Sequence, residues 1–357
     1  MKKFIVFIIP ILIIIHSNAF AQNFPVKGIS ISAPSNEGLD DFLKFVEKEL
    51  VPRNINTIIL RMGYNYEFKS FPKLRGDHPL TETQVKKIVK LCRDNKIKII
   101  PLFNLLGHQS WQGSVGLLLK NYPEFDETPH VVLPKEYVWP NDDYLYCKSY
   151  CPLHPKVHEV VFPLITELVE VFETNAFHAG MDEVFYIGEI NCPRCSGKDK
   201  AEIFAGEVTK IRNYLSSIGV ELWIWGDRLL DGKTTGLGIW EASFNNTHKA
   251  IDLIPKDVLI CDWHYEMAVP TAAIFAGKGL SVVSCPWRIP EVGIKQIEMM
   301  EFFRDNSTIE MKERFKGVVH TVWQPTDTFI KRFYSKEKIT KENGGDVETF
   351  KTIFPKN

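Results

Sequence analysis

Eight short runs rich in β-branched and apolar residues recur along the chain, and charged, amphipathic stretches separate them. The runs are 27–33 (KGISISA), 57–62 (TIILRM), 97–103 (IKIIPLF), 175–181 (NAFHAGM), 220–226 (VELWIWG), 258–264 (VLICDWH), 280–285 (LSVVSC) and 317–323 (GVVHTVW). Helical periodicity fills several of the gaps: Leu39 to Leu50, Thr81 to Asn95 behind a Thr-x-x-Gln capping signal, Val157 to Phe172, Lys200 to Ser216 and Val292 to Arg304. Alternating β and α units give a parallel sheet. Eight of them most simply close into a single (β/α)8 TIM barrel. A doubly wound open sheet is the alternative. It usually carries a Gly-rich phosphate turn after its first strand, and Ser32-Ala33-Pro34-Ser35-Asn36 is not one. No linker or repeat divides the chain. One domain is therefore expected over 22–335, with the polar segment 336–357 as a peripheral C-terminal tail.

Residues 1–21 read as a signal peptide. Lys2 and Lys3 precede the apolar run Phe4 to Ile15, and Ala19-Phe20-Ala21 supplies small residues for cleavage. The run is short for a membrane span. The expectation is an exported chain, periplasmic or secreted, with no stable membrane insertion after cleavage. The formal net charge is −1, without a basic stripe, which argues against nucleic acid as partner. A charge-neutral chain with 8 Trp suits a glycan, whose rings stack on aromatic faces, although aromatic residues also dominate ordinary cores.

The fourth run ends in two adjacent carboxylates, Asp182 and Glu183. Paired acids are a common route to glycosidic cleavage, one protonating the leaving oxygen while the other handles charge at the sugar. Neighbours on a strand point to opposite faces, so two of them reach one ligand only where the strand opens into a loop. Chemistry in such barrels sits at the C-terminal strand ends. Those ends carry Arg61, Asn104, His108, Trp225, Asp227, Trp263, Tyr265, Trp287, Arg288, Trp323 and Asp327. The longest connection, Leu105 to Pro152, follows the third strand, and a loop of that length is usually functional.

Of the 7 Cys, Cys92, Cys261 and Cys285 lie inside apolar segments and read as buried thiols. Cys147 with Cys151, and Cys192 with Cys195, form two close pairs on loops that a barrel makes neighbours. Four such sulfurs can hold a structural zinc or form two disulfides. Either role is structural, and both readings stay open beside a third, four free thiols.

The string His178-Ala-Gly-Met-Asp182-Glu183 resembles the His-x-Gly-x-Asp-Glu signature of glycoside hydrolase family 20, the β-N-acetylhexosaminidases. Gly107-His108, Trp225-Gly-Asp227, Trp263-x-Tyr265 and the run Gly317 to Trp323 resemble further stretches of that family over residues 27–335. The likeness is nearest to the hexosaminidase D-like branch, which lacks the additional N-terminal domain. The resemblance implies a substrate-assisted retaining mechanism without a cofactor for catalysis, in which the sugar's own 2-acetamido oxygen attacks the anomeric carbon. It implies that Asp182 holds the acetamido N–H and that Glu183 is the acid and then the base. It further implies that Tyr265 bonds the acetamido oxygen, that Trp225, Trp263 and Trp323 wall the sugar, and that His108 is a partner of Glu183. Two departures stand out. The larger enzymes carry an Arg after the first strand, absent from Ser32-Ala33-Pro34-Ser35, and a Trp-x-Glu where this chain has Trp323-Gln324-Pro325, so that the polar role there passes to Asp327. Two competing readings are a barrel glycosidase for a different glycoside and a sugar-binding protein without turnover.

Overall fold

A computed structural model of the chain describes residues 24–136, 138, 147–336 and 341–356. The expected signal peptide lies outside the described residues. The eight expected strands all form: β1 (Val26–Ser32), β2 (Thr57–Arg61), β3 (Lys98–Leu105), β4 (Ala176–Gly180), β5 (Glu221–Trp225), β6 (Leu259–Trp263), β7 (Ser281–Cys285) and β8 (Phe315–Thr321). Neighbours pair in parallel, and β1 closes the ring by pairing with both β2 and β8. The result is a (β/α)8 barrel.

The two-residue period of a strand sorts the side chains into two cores. Ile58, Leu60, Phe177, Leu222, Ile224, Ile260, Val282 and Val318 join the layer beneath the helices. Their alternates Ile59, Ile100, Leu102, Trp223, Trp225, Leu259, Cys261, Trp263, Val283 and Val319 fill the lumen. Three tryptophans inside the ring leave it a packed plug, so a ligand can meet the barrel only at its mouth.

The main helices are α1 (Leu39–Phe45), α2 (Glu82–Asp94), α3 (Val157–Phe172), α4 (Lys200–Ser217), α5 (Thr271–Gly277), α6 (Pro290–Asp305), α7 (Thr326–Tyr334) and α8 (Lys341–Ile353). The Thr81–Gln84 signal forms a reciprocal capping box at the head of α2. The expected helix over 39–50 widens into a π-helical turn from Val46. The connection after β5 contains only short helical turns, at Asp227–Leu229, Gly232–Thr235 and Thr247–Asp252.

The expectation of a peripheral tail is corrected. Val347, Phe350, Ile353 and Phe354 are buried. Phe350 packs on Phe333 of α7, which in turn meets Phe45 of α1 with ring centroids 5.1 Å apart. The apolar spacing Val347, Phe350, Ile353, Phe354 is that of one helix face, so α8 belongs to the barrel's outer layer.

Candidate active site

The site is built where β4 abandons extended geometry. Gly180, Met181 and Glu183 all have positive φ, at 70°, 72° and 50°. These turns break the alternation that would send Asp182 and Glu183 to opposite faces. Both carboxylates end at one point, the Nε2 of His108, 3.1 Å from Asp182 Oδ2 and 3.3 Å from Glu183 Oε2. His108 itself has φ 54°, and Leu106 before it φ 64°. Left-handed backbone at non-glycine residues costs free energy and clusters at functional sites. Between them Gly107 lets the two loops touch: a Cβ there would lie 2.8 Å from the Asp182 carbonyl.

His108 Nε2 faces both carboxylates, and burial together with the neighbouring charges sets them apart. Burial opposes a charged His108, but Asp182 and its hydrogen bonds win and hold the imidazolium well above its ordinary range. Burial likewise lifts Asp182, and the His108 charge outweighs it, so Asp182 stays below the usual carboxylate range. Glu183 goes the other way: burial raises it, His108 pulls back, and the charges of Asp182 and Asp227 push up again. The pair therefore divides into an anion and a proton-retaining acid. Asp182 Oδ1 is buried without a partner and is an acceptor still to be satisfied.

Asp227, expected to touch ligand, is instead buried beneath the site. Its Oδ2 accepts the Glu183 backbone N–H at 2.9 Å and Arg228 Nε–H at 2.7 Å, and its Oδ1 accepts Trp263 Nε1–H at 3.2 Å. Arg228, fully buried, then donates to the carbonyls of Ile239, Trp240 and Ala242. Asn245 ties the other side of the turn by donating to Val184 and Phe185 carbonyls. The left-handed Glu183 is thus held by bonds from the fifth connection, which the sequence reading did not single out beyond Asp227.

Trp225 is also corrected. Its ring is buried in the lumen against His178 and Trp323, and does not wall the mouth. Tyr265, Trp263 and Trp323 do gather beside the acids. Tyr265 stacks on Trp263 with centroids 4.9 Å apart, and its Oη accepts Trp323 Nε1–H at 2.7 Å. Burial lifts the Tyr265 hydroxyl well above its ordinary value, so it remains a donor. Arg61 lies over the Trp323 ring at 4.7 Å, and burial lowers it to about 10, which still leaves it cationic at neutral pH. Trp111, half exposed, stacks parallel to His108 at 6.2 Å. Asp327 is not part of this group. It packs against Gly38 at the head of α1, in a groove of about 610 Å³ shared with Lys44, Lys48 and Lys331.

The four loop cysteines do not assemble as expected either. Cys147 sits apart, its thiol 3.5 Å from the Glu183 carbonyl. Cys151, Cys192 and Cys195 do meet, joined by Glu127 rather than by Cys147.

Residues 61–325 match the glycosyl hydrolase family 20 catalytic domain, nearly three quarters of the chain. A lacto-N-biosidase of Bifidobacterium bifidum is 25% identical over 214 residues, covering 57% of this chain and 17% of that protein. A β-hexosaminidase A of Caenorhabditis briggsae is 25% identical over 175 residues, covering 45% and 28%. The chain thus spans less than a third of the length of either curated relative. A solved chitobiase of Flavobacterium johnsoniae superposes with TM-score 0.65 at 16% identity, over 93% of this chain and 48% of that one, which speaks to the barrel alone. The family match runs from the last residue of β2 to just beyond β8 and includes the Asp182–Glu183 turn, and the chain accordingly belongs to glycosyl hydrolase family 20.

Proposed function

We propose that the chain is an exo-acting β-N-acetylhexosaminidase that removes terminal N-acetyl-β-hexosamine from glycans by substrate-assisted, retaining hydrolysis. The observation that carries the reading is the convergence of Asp182 and Glu183 on His108 Nε2 where β4 ends, 3.1 and 3.3 Å away. Asp182 Oδ1 accepts the acetamido N–H, aligning the acetamido oxygen behind the anomeric carbon. As that oxygen attacks, positive charge develops on the resulting ring, and the Asp182 anion stabilises it in a low-dielectric setting. Glu183 gives its proton to the departing oxygen and then takes one from the water that opens the ring. Tyr265 donates its O–H to the acetamido oxygen, Trp263 and Trp323 pack on the sugar, and Arg61 is the cation available for its hydroxyls. Apart from the water consumed, no group beyond the chain and the sugar is needed for these steps. We place the mature protein outside the cytoplasm, on the strength of the leader-like residues 1–21.

The test is hydrolysis of 4-nitrophenyl N-acetyl-β-glucosaminide, its galacto epimer and the plain β-glucoside by the mature chain, with Glu183→Gln as control. Cleavage of either acetamido sugar by wild type alone supports the reading. Equal rates on the plain glucoside would remove substrate assistance, and binding without turnover would make the chain a sugar-binding protein.

A further inference from the structure

Outside the catalytic pair, three sulfurs and a carboxylate converge in the interior with no chemistry assigned to them. Cys151 Sγ lies 3.4 Å from Cys195 Sγ and 3.6 Å from Cys192 Sγ. A disulfide needs about 2.05 Å. Ligands on a tetrahedral zinc with Zn–S near 2.3 Å stand roughly 3.8 Å apart, which is much nearer to what is seen. The fourth member is Glu127, fully buried. Its Oε1 accepts the Glu189 N–H at 3.0 Å, while its Oε2 has no hydrogen-bond partner. One ligand atom from each of the four residues falls within 4.8 Å of all the others. Backbone N–H groups of Arg194 and Cys195 are directed at Cys192 Sγ, which fixes the Cys-x-x-Cys turn around that sulfur.

We infer that Glu127, Cys151, Cys192 and Cys195 form a structural zinc site. A buried carboxylate oxygen with no N–H or O–H donor is costly, and the thiol S–H groups of Cys192 and Cys195 beside it are weak substitutes. A divalent cation satisfies it and all three sulfurs together, with the thiols losing their protons to solvent on binding. Thiolate-rich tetrahedral sets select zinc over calcium or magnesium. Four protein ligands leave no open position, so the ion is not a catalyst. It cross-links the long connection after β3, which carries Glu127 and Cys151, to the loop after β4, which carries Cys192 and Cys195. Both loops frame Glu183: its own strand leads into the second, and Cys147, four residues before Cys151, contacts its carbonyl. The inference is independent of which glycoside is cleaved.

The mature chain, purified without added reductant or chelator, should contain one zinc per molecule by elemental mass spectrometry. Removal of zinc with a chelator should lower the thermal midpoint, and zinc should restore it. Cobalt in its place should give red-region d–d bands and a near-ultraviolet thiolate band of three-thiolate strength. Glu127→Gln should weaken zinc retention at least tenfold while keeping the Oε1 hydrogen bond, and it serves where Cys151→Ser fails to fold. A disulfide linking any two of the three cysteines in the mapped wild type, iron in place of zinc, or absence of metal after refolding with zinc would each overturn the site.

Discussion

On the proposed mechanism His108 faces both acids through one Nε2–H and lowers both, while burial and the charges of Asp182 and Asp227 keep Glu183 the weaker acid. Glu183→Gln removes the proton donor and should cost about 10²–10⁴ in kcat with an aryl hexosaminide. Asp182→Asn keeps the shape and loses the charge that stabilises the ring cation, for about 10²–10³ in kcat. Activity needs Asp182 ionised and Glu183 protonated, so kcat/KM against pH should be a bell, with Asp182 on the acid limb and the raised Glu183 on the alkaline one. His108→Gln deletes a cation that lowers both carboxyls. Both limbs should then move to higher pH, whereas a merely structural loss would shrink the bell without moving it. Stability has its own sign. His108 is raised in the folded protein, so its contribution is complete below about pH 6.5 and is lost as pH rises through the folded value. Urea midpoints of wild type and His108→Gln should therefore converge at alkaline pH. The position of Asp182 and Glu183 at a strand end was legible in the sequence because they close an apolar run. Asp227 and Trp225 were misread as ligand contacts because sequence does not show where a side chain is already spent. Asp227 is taken by Arg228, Trp263 and the Glu183 amide, and Trp225 by the lumen.

At the scale of elements, the site depends on turns that leave the strand conformation within one residue of its end. Gly180 has φ 70°, and a Cβ there would meet Asn104 Oδ1 at 2.3 Å. Gly180→Ala should cost about 1–2 kcal/mol for the left-handed backbone alone and more for the clash, and should abolish turnover by displacing the acids. Gly206, inside α4 with open space around its Cα, makes the control: Gly206→Ala should stabilise by about 0.5–1 kcal/mol and leave kcat unchanged. Chemical denaturation with an aryl glycoside assay reads both. Strand positions were recoverable within two residues because a barrel strand is buried on both faces and reads as a short unbroken apolar run, as in Leu222-Trp223-Ile224-Trp225. The grouping of cysteines was not. Spacing cannot tell which of Cys147 and Cys151 turns toward the Cys192–Cys195 loop, and Glu127 announces nothing in sequence until the long connection folds back on β4.

For the molecule as a whole, the C-terminal segment is the piece whose role its composition concealed. SKEKITKENGGDVETF is polar on average, yet its Val347 and Phe350, with Ile353 and Phe354 just beyond, are spaced to carry α8 onto α6 and α7. Average polarity reports the solvent face of such a helix, and periodicity reports the buried one. The Phe45, Phe329, Phe333 and Phe350 rings join α1, α7 and α8 into one aromatic cluster over the seam where β8 meets β1. A barrel is only as stable as its closing seam, since opening there exposes the edges of two strands. Phe350→Ala should therefore cost about 3–5 kcal/mol, in the range of a buried Phe deletion. None of these four rings touches Asp182, Glu183 or His108, so kcat of the folded variant should remain that of wild type while its urea midpoint falls. A chain ending at Tyr334 loses the whole of α8 and should lose more stability than the point variant. If it unfolds at the wild-type midpoint instead, the seam is closed by β1 and β8 alone and α8 is the appendage its composition suggested.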